Sequence, residues 1–495
     1  MNEAEPRNDT TLVISGGTVV CEDALLPDHD VFVRNGRIAV IRPSARFAEA
    51  GRSSEDENLE VIDARGAYVA PGMIDVHSDY IEGVASPRPT AVMNLRAALL
   101  HADRELVAHG VTTMYHSLSM HGTREFNRKP IRSHENVSRL IGEIVALRAN
   151  EGITHLMRHR LHLRIELDAV ERFEEIKAYI ENGSADMVSF MDHTPGQGQF
   201  ADPAKYGEML QGYQEMSDAE AMRIVSSLQA HDKLAFFQME ELARIAHSRG
   251  LAVSSHDDDS AEKLDCMEAL GTVISEFPIT LDVALDARAR GMHTLAGAPN
   301  VVMGRSHSGN LSAREAICAG AIDMLCSDYY PAALLEAVFV LHRVCGIDLA
   351  KAFALVTVNP ARAAGVGGEI GSIAPGKRAD LIVVRELPAA EPMPGTVGAV
   401  RAIGAELRIA AGADADPAGP PPAAEGVPNG AAQAPIPVVT RTFVGGRCVY
   451  RSRYPMFGEE GWRSGEGAAA DRASAARDAA FAEHEQAAAE KAQVA

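Results

Sequence analysis

The residues best suited to chemistry lie in Pro71–Arg88, PGMIDVHSDYIEGVASPR. A Pro-Gly turn is expected to lead into the apolar run Met73–Val76, which ends on His77, with Asp79 two residues on. Alternate residues of a strand point to the same side, so His77 and Asp79 are expected to face one point at the strand end. Imidazole and carboxylate together suit a zinc-like divalent ion. On this stretch alone, a strand that merely ends in polar residues explains the pattern equally well. The pattern then recurs. In LHLRIEL, His162, Arg164 and Glu166 share one face of a strand and Leu161, Leu163, Ile165 and Leu167 the other. MVSFMDH runs into Asp192 and His193, LAVSSHDDD into His256 and Asp257–Asp259, and AIDMLCSD into Asp328. Buried charges need partners or a metal, and in a parallel α/β protein the C-terminal strand ends converge on one site.

The elements that must position these residues can be read in the same way. Residues 11–70 read as short strands, with Asn35-Gly36 between alternating apolar runs as a hairpin signal. Residues 71–366 alternate strands with helical stretches. The strands are expected to end near His77, His116, Glu166, Met191, His256, Phe277, Gly297 and Ser327. That pattern predicts an α/β fold, a (β/α)8 TIM-type barrel. Ala91–His109 and Lys233–Arg249 are expected crossover helices, stopped by Gly110 and Gly250. Residues 367–385 and 437–451 read as further strands, the last a hairpin turning at Gly445-Gly446. They are expected to join the N-terminal strands in a small β-sandwich built from both chain ends. Between them, 386–436 is an Ala/Pro/Gly-rich insertion, and 465–495 reads as a disordered or helical tail. Neither is expected to carry chemistry.

Composition narrows the function. The net charge of −21 argues against nucleic-acid binding but not against a small anionic substrate, because a metal and a few arginines reverse the field inside a pocket. No apolar run reaches the ~20 residues of a membrane span, and the acidic start MNEAEPRNDT is unlike a secretory signal. The six cysteines form no CxxC pair and read as reduced thiols of a cytoplasmic protein. Cys326 reads as a packed thiol rather than a nucleophile.

The Pro-Gly-strand-HxD entry, the late strand ending on Asp328, Asn359-Pro360-Ala361 and the run Ile373–Leu381 (IAPGKRADL) resemble the amidohydrolase superfamily. Most members carry HxH where this chain has His77-Ser78-Asp79. Further motifs narrow the likeness: Pro87-Arg88-Pro89, Met191–Gln197, Ser255–Asp259, Gly297–Asn300, Ser306–Asn310 and Ser327-Asp328-Tyr329. Over roughly residues 11–384 and the final hairpin, the chain resembles the α-D-ribose 1-methylphosphonate 5-triphosphate diphosphatase family of the carbon–phosphorus lyase pathway. It departs from that family in reading HSDYIE where HTDNLE is usual.

The resemblance implies a metal-dependent hydrolase of phosphonate catabolism that cuts the α–β phosphoanhydride and releases pyrophosphate. It implies one or two divalent ions, with zinc preferred, since a bound ion brings the pKa of water toward ~7. The expected metal ligands are His77, Asp79, Glu166, His193, His256 and Asp328. Asp328 doubles as the general base, and Glu166 is the carboxylate best suited to bridge two ions. His116 and His162 read as hydrogen-bonded histidines outside this set. Histidine ligands of the superfamily usually lie on strands five and six. Here His193 falls at strand four, His256 at five and Glu276 at six, so either a strand is miscounted or Glu276 replaces a ligand. Asp257–Asp259 read either as acceptors orienting ligand histidines or as acids at a helix start.

For the polyphosphate, Arg88, Asn300, Arg305, Ser306, His307, Ser308 and Asn310 are the expected contacts, the last six following the seventh strand, where phosphate sites of such barrels lie. Arg88 could equally form a surface ion pair, and the Ser306–Asn310 run could be a turn and helix cap. The expected partners are a small anionic phosphorylated substrate and further copies of the chain in a homo-oligomer, with no nucleic acid and no membrane. Two other functions stay open here. One is an amidohydrolase opening a cyclic amide or removing an N-acyl group with the same apparatus. The other is a noncatalytic scaffold, which retention of the His/Glu/Asp set disfavours.

Overall fold

A computed structural model describes residues 11–44, 59–88, 90–122, 129–196, 198, 217–305, 310–388 and 434–454. The expected tail, most of the expected insertion, and Ser306, His307 and Ser308 lie outside these residues.

Eight parallel strands form a barrel in chain order: β6 (Met73–Ser78), β7 (Val111–Met120), β8 (Arg158–Glu166), β9 (Met187–Met191), β10 (Ala252–His256), β11 (Ile274–Glu276), β12 (His293–Gly297) and β13 (Met324–Cys326). The barrel closes just past β13, where Asp328 N–H donates to the carbonyl of His77 (3.2 Å) and Asp79 N–H to the carbonyl of Asp328 (2.9 Å). These strands are buried on both sides, β6 and β7 along their whole length, which is why they read as near-continuous apolar runs. Alternation on β8 sorts the faces. Leu161, Leu163 and Ile165 join the apolar layer under the surrounding helices. Val76, Tyr115, Met187, Ala252, Ile274, Leu295 and Met324, one from each of seven strands, pack together. Side chains from so many strands can meet only inside the barrel, so they plug its lower half.

The crossover helices occupy Leu95–Ala108 and Phe236–Ser248, shorter than the apolar pattern suggested. Asn94 caps the first, its side-chain oxygen accepting from Ala97 N–H at 2.9 Å. Gly110 and Gly250 follow the two helices with φ of 86° and 71°, the left-handed stop expected of them.

The small β unit is built from both chain ends, as expected. Its strands join in one hydrogen-bonded sheet: β1 (Thr11–Val20), β2 (Leu25–Arg34), β3 (Arg37–Pro43), β4 (Leu59–Asp63), β5 (Tyr68–Pro71), β14 (Leu381–Leu387), β15 (Ile436–Val444) and β16 (Arg447–Arg451). The two ends meet where β14 pairs antiparallel with β5. Asn35 (φ 52°) and Gly36 make the predicted tight hairpin between β2 and β3. One local expectation fails. Pro71-Gly72 is not a turn: Pro71 ends β5 and Met73 begins β6, so the chain passes from sheet to barrel through one residue. Gly72 is needed at this joint because a Cβ there would lie 2.3 Å from the Thr112 side chain.

Candidate metal centre and catalytic cavity

The C-terminal ends of the barrel strands surround a cavity of about 300 Å³, within the range of small-molecule sites. Its lining includes His77, Asp79, Arg132, Arg164, Glu166, His193, His256, Asp257, Asn300, Asn310 and Asp328. Of the expected site residues, it thus gathers His77, Asp79, Glu166, His193, His256, Asp328, Asn300 and Asn310. Arg88 and Arg305 are exposed and do not line it.

Three cavity or near-cavity residues owe their placement to unusual backbone. Asp257, Phe277 and Asp328, each just past a barrel strand, have φ of 54°, 54° and 59°. That left-handed conformation is costly for non-glycine residues and gathers at functional sites. For Asp328, the strain accompanies the two closure hydrogen bonds and a third from Ser78 Oγ to its carbonyl (2.9 Å). The backbone is thereby committed to closing the barrel while the carboxylate lines the cavity. The Phe277 ring stands nearly perpendicular to that of His77 (centroids 4.9 Å) and lies tilted beside that of His256 (5.1 Å).

The donor atoms cluster in two overlapping groups, His77–His256–Glu276 and His193–His256–Asp257, with one atom from each member within 4.8 Å of the others. The strand count stands: Glu276 ends the sixth barrel strand. Its location points to a supporting role. It is fully buried and not part of the cavity lining. One oxygen accepts from His77 Nδ1 (2.8 Å) and the other from Ser254 Oγ (2.7 Å). A carboxylate on Nδ1 fixes the imidazole tautomer and leaves Nε2 as the free donor atom. Asp79 belongs to neither group. The strand ends at Ser78, so the alternation that would align Asp79 with His77 stops one residue short. Asp79 instead begins the helix Tyr80–Ala85, its carboxylate 3.3 Å from Arg132 Nη2.

Electrostatics bind the cluster together. Burial pushes the imidazole of His193 down, but Glu166, to which Nδ1 donates, and Asp257, 3.5 Å from Nε2, outweigh it and raise its pKa to about 9. Burial likewise raises Glu166, yet His193, His121 and Arg164 bring it to about 2. Asp257 is held well below the usual carboxylate range, because His256 and His193 outweigh its burial. Asp328 goes the other way: burial first and the charge of Asp79 second raise it to about 7, against the pull of Arg164.

These residues fit a divalent cation. Four carboxylates but two guanidiniums line the cavity. Among the described residues, the buried Nδ1 of His256 and Oδ2 of Asp257 have no hydrogen-bond partner although they lie 3.2 Å apart. A shared cation would satisfy both; without one, a proton on His193 supplies positive charge between two carboxylates.

His162 and His116 are hydrogen-bonded histidines. His162 reaches the Val76 carbonyl through Nδ1 (3.0 Å), and His116 Nε2 lies 2.8 Å from His159 Nδ1 in a second buried group with Asp103. Asn300 is engaged at both ends of its amide, donating to the Leu311 carbonyl (3.0 Å) and accepting from Ala313 N–H (3.1 Å). It pins the segment after the seventh barrel strand. Sequence reasoning missed Arg132, which ends the single 3-10 turn Pro130–Arg132, too short to leave a periodic signal. It noted Arg164 on the same face as Glu166 but gave it no role, although the alternation of β8 was signal enough.

Comparison with known proteins agrees with this architecture. The Amidohydrolase family signature matches residues 68–449. The chain is 34% identical over 375 residues to the Alpha-D-ribose 1-methylphosphonate 5-triphosphate diphosphatase of Escherichia coli K12, covering 75% of this chain and 94% of that one. It is 25% identical over 419 residues to an Adenine deaminase of Paracoccus denitrificans, covering 78% of this chain and 56% of the relative. Among solved structures, a prolidase complexed with N-methylphosphonate-L-proline superposes with a TM-score of 0.52 at 16% identity, covering 90% of this chain and all of that one. The chain belongs to the amidohydrolase family and is an enzyme, a hydrolase.

Proposed function

We propose that this amidohydrolase hydrolyses the α–β phosphoanhydride of α-D-ribose 1-methylphosphonate 5-triphosphate, releasing pyrophosphate and the 5-phosphate. One observation carries the reading. His77, Glu166, His193, His256 and Asp328 line one cavity in a chain that matches 94% of a diphosphatase at 34% identity. His77, His193, His256, Glu166 and Asp257 would hold the metal, with Glu276 orienting His77. A divalent ion held there, zinc by donor chemistry, would make bound water acidic enough to serve as nucleophile at neutral pH and would polarise a phosphoryl oxygen. Asp328 receives the proton of the attacking water on its carboxylate, and a pKa of about 7 suits a base at physiological pH. Its fixed backbone keeps the carboxylate oriented without reorganisation during the reaction. The setting that goes with this reading is phosphonate catabolism in the cytoplasm, by a homo-oligomer.

The test is pyrophosphate release by zinc-reconstituted protein from the phosphonate triphosphate, beside ATP and a panel of cyclic amides. Release from the phosphonate with little from ATP supports the reading. Folded, metal-loaded protein that ignores the phosphonate but opens an amide overturns it in favour of the amide-hydrolysing alternative.

A further inference from the structure

Of the expected phosphate contacts among the described residues, Asn300 and Asn310 line the cavity and Arg88 and Arg305 do not. Arg88 and Arg305 are exposed, and Asn300 spends its amide on backbone. The guanidiniums that line the cavity are those of Arg132 and Arg164, and their situations differ. Arg132 is partly exposed and already clamped. Its Nε lies 2.8 Å from one Glu82 oxygen and 3.0 Å from the other, and its Nη2 3.3 Å from Asp79.

Arg164 is 7% exposed. Its Nε donates to the sulfur of Met191 (2.9 Å) and its Nη2 lies 3.3 Å from Nε2 of His256. No carboxylate among the described residues comes within salt-bridge distance of it. A buried guanidinium is costly without an anionic partner. This one has five donors, lies at the head of a rigid barrel strand, and lines the cavity where the reacting group must sit. Three of the four cavity carboxylates have other commitments: Glu166 to His193, Asp79 to Arg132, and Asp257 beside His193 and His256; the fourth, Asp328, feels the charge of Arg164 at longer range.

We infer that Arg164 is the principal phosphoryl-binding residue of this cavity, donating to oxygens of the bound substrate, with Arg132 as a weaker second grip. The inference rests on the proposed function for the identity of the anion. The guanidinium fork matches phosphoryl oxygens two at a time, which a lysine cannot reproduce. A carboxylate ligand would also engage a guanidinium, so the test separates the two anions.

Zinc-loaded protein is titrated calorimetrically with phenylphosphonate and, separately, with benzoate. Wild type should prefer the phosphonate. Arg164→Met should weaken phosphonate binding on the order of 10- to 100-fold, Arg132→Gln should weaken it less, and Arg88→Ala should leave it unchanged. Full phosphonate affinity in Arg164→Met, or preference of wild type for benzoate, overturns the assignment. If Arg164→Met does not fold, the wild-type enzyme decides. Phenylphosphonate should protect Arg164 from phenylglyoxal, read by peptide mass spectrometry, and absence of protection also overturns the assignment. The two readings fail separately. Binding through Arg164 without pyrophosphate release sinks the proposed reaction alone. Turnover by Arg164→Met at unchanged KM sinks this inference alone.

Discussion

Replacing Asp380 by Ala should destabilise the protein far from its chemistry. Asp380 lies in the motif just before β14 and is 4% exposed, as is its partner Arg158 at the start of β8. One carboxylate oxygen takes the Arg158 Nη1 donor, and the other accepts from Gly445 N–H at the tip of the last hairpin (2.8 Å). The side chain thus joins the foot of the barrel to the small sheet. Its removal leaves a buried guanidinium with Glu151, 2.9 Å from Nε, as its remaining carboxylate. It also leaves a backbone N–H without its acceptor.

Removing one partner of a buried pair costs about 3–5 kcal/mol, and the surviving contact to Glu151 places this case near the lower end. In a folded body of this size, that corresponds to a fall in Tm of roughly 4–7 °C. Thermal unfolding followed by circular dichroism at a fixed scan rate measures it. β8 spans nine residues, so Arg158 is roughly 26 Å from the cavity end of the strand. The kcat of the folded variant should therefore be unchanged. The double variant Arg158→Met/Asp380→Leu should regain much of the loss, because apolar residues replace a desolvated pair without leaving a lone charge. A Tm within 1 °C of wild type (about a quarter of the expected shift), or a double variant as unstable as the sum of the single ones, would refute the reasoning.

Other outcomes follow from the site and its surroundings. Asp328→Asn should keep metal largely bound and lower turnover roughly 10²- to 10⁴-fold; near-normal turnover removes Asp328 as the base. In wild type, the base is active when ionised, so its pKa of about 7 predicts activity rising through neutral pH, and a flat profile between pH 6 and 8 (about one unit either side of that value) argues against it. His256 belongs to both donor groups, so His256→Ala should lose metal by elemental analysis, and full occupancy would take it out of the ligand set. Glu175 is worked against its burial by hydrogen bonds and charges from Arg172 and His134, which bring its pKa from 4.5 to about 2. A depressed carboxylate stabilises the fold above its unfolded pKa and loses that contribution as pH falls toward 2. With partial exposure discounting the effect to about 1 kcal/mol, Glu175→Gln should flatten the acid side of the stability curve below pH ~5, and an unchanged curve contradicts this.

The barrel was legible in the sequence because its strands are buried on both faces and several end in, or run on into, polar residues. The resulting apolar runs and their His, Glu and Asp endings survive without knowledge of the neighbours. Periodicity on β8 put Glu166 and Arg164 on the inner face, and local turn chemistry gave Asn35-Gly36, Gly110 and Gly250. Where a strand stops is a different matter, decided by hydrogen bonds to other segments. Asp79 was therefore paired with His77 in the sequence, although the chain turns into a helix at that residue.

The left-handed backbone at Asp257, Phe277 and Asp328 is equally invisible in sequence, since none of these residue types demands it. It arises where β10, β11 and β13 give way to loops around the cavity, and for Asp328 from bonds that close the barrel. The choice among arginines was likewise tertiary. Arg88 and Arg305 occupy plausible loops, but a loop's direction is set by what it packs against. Arg164 lines the cavity because a barrel strand fixes its face, and Arg132 reaches it from a segment with no periodic signal. Residue type and alternation determined which chemistry the chain can carry, and the closure of eight strands into a ring decided which side chains meet.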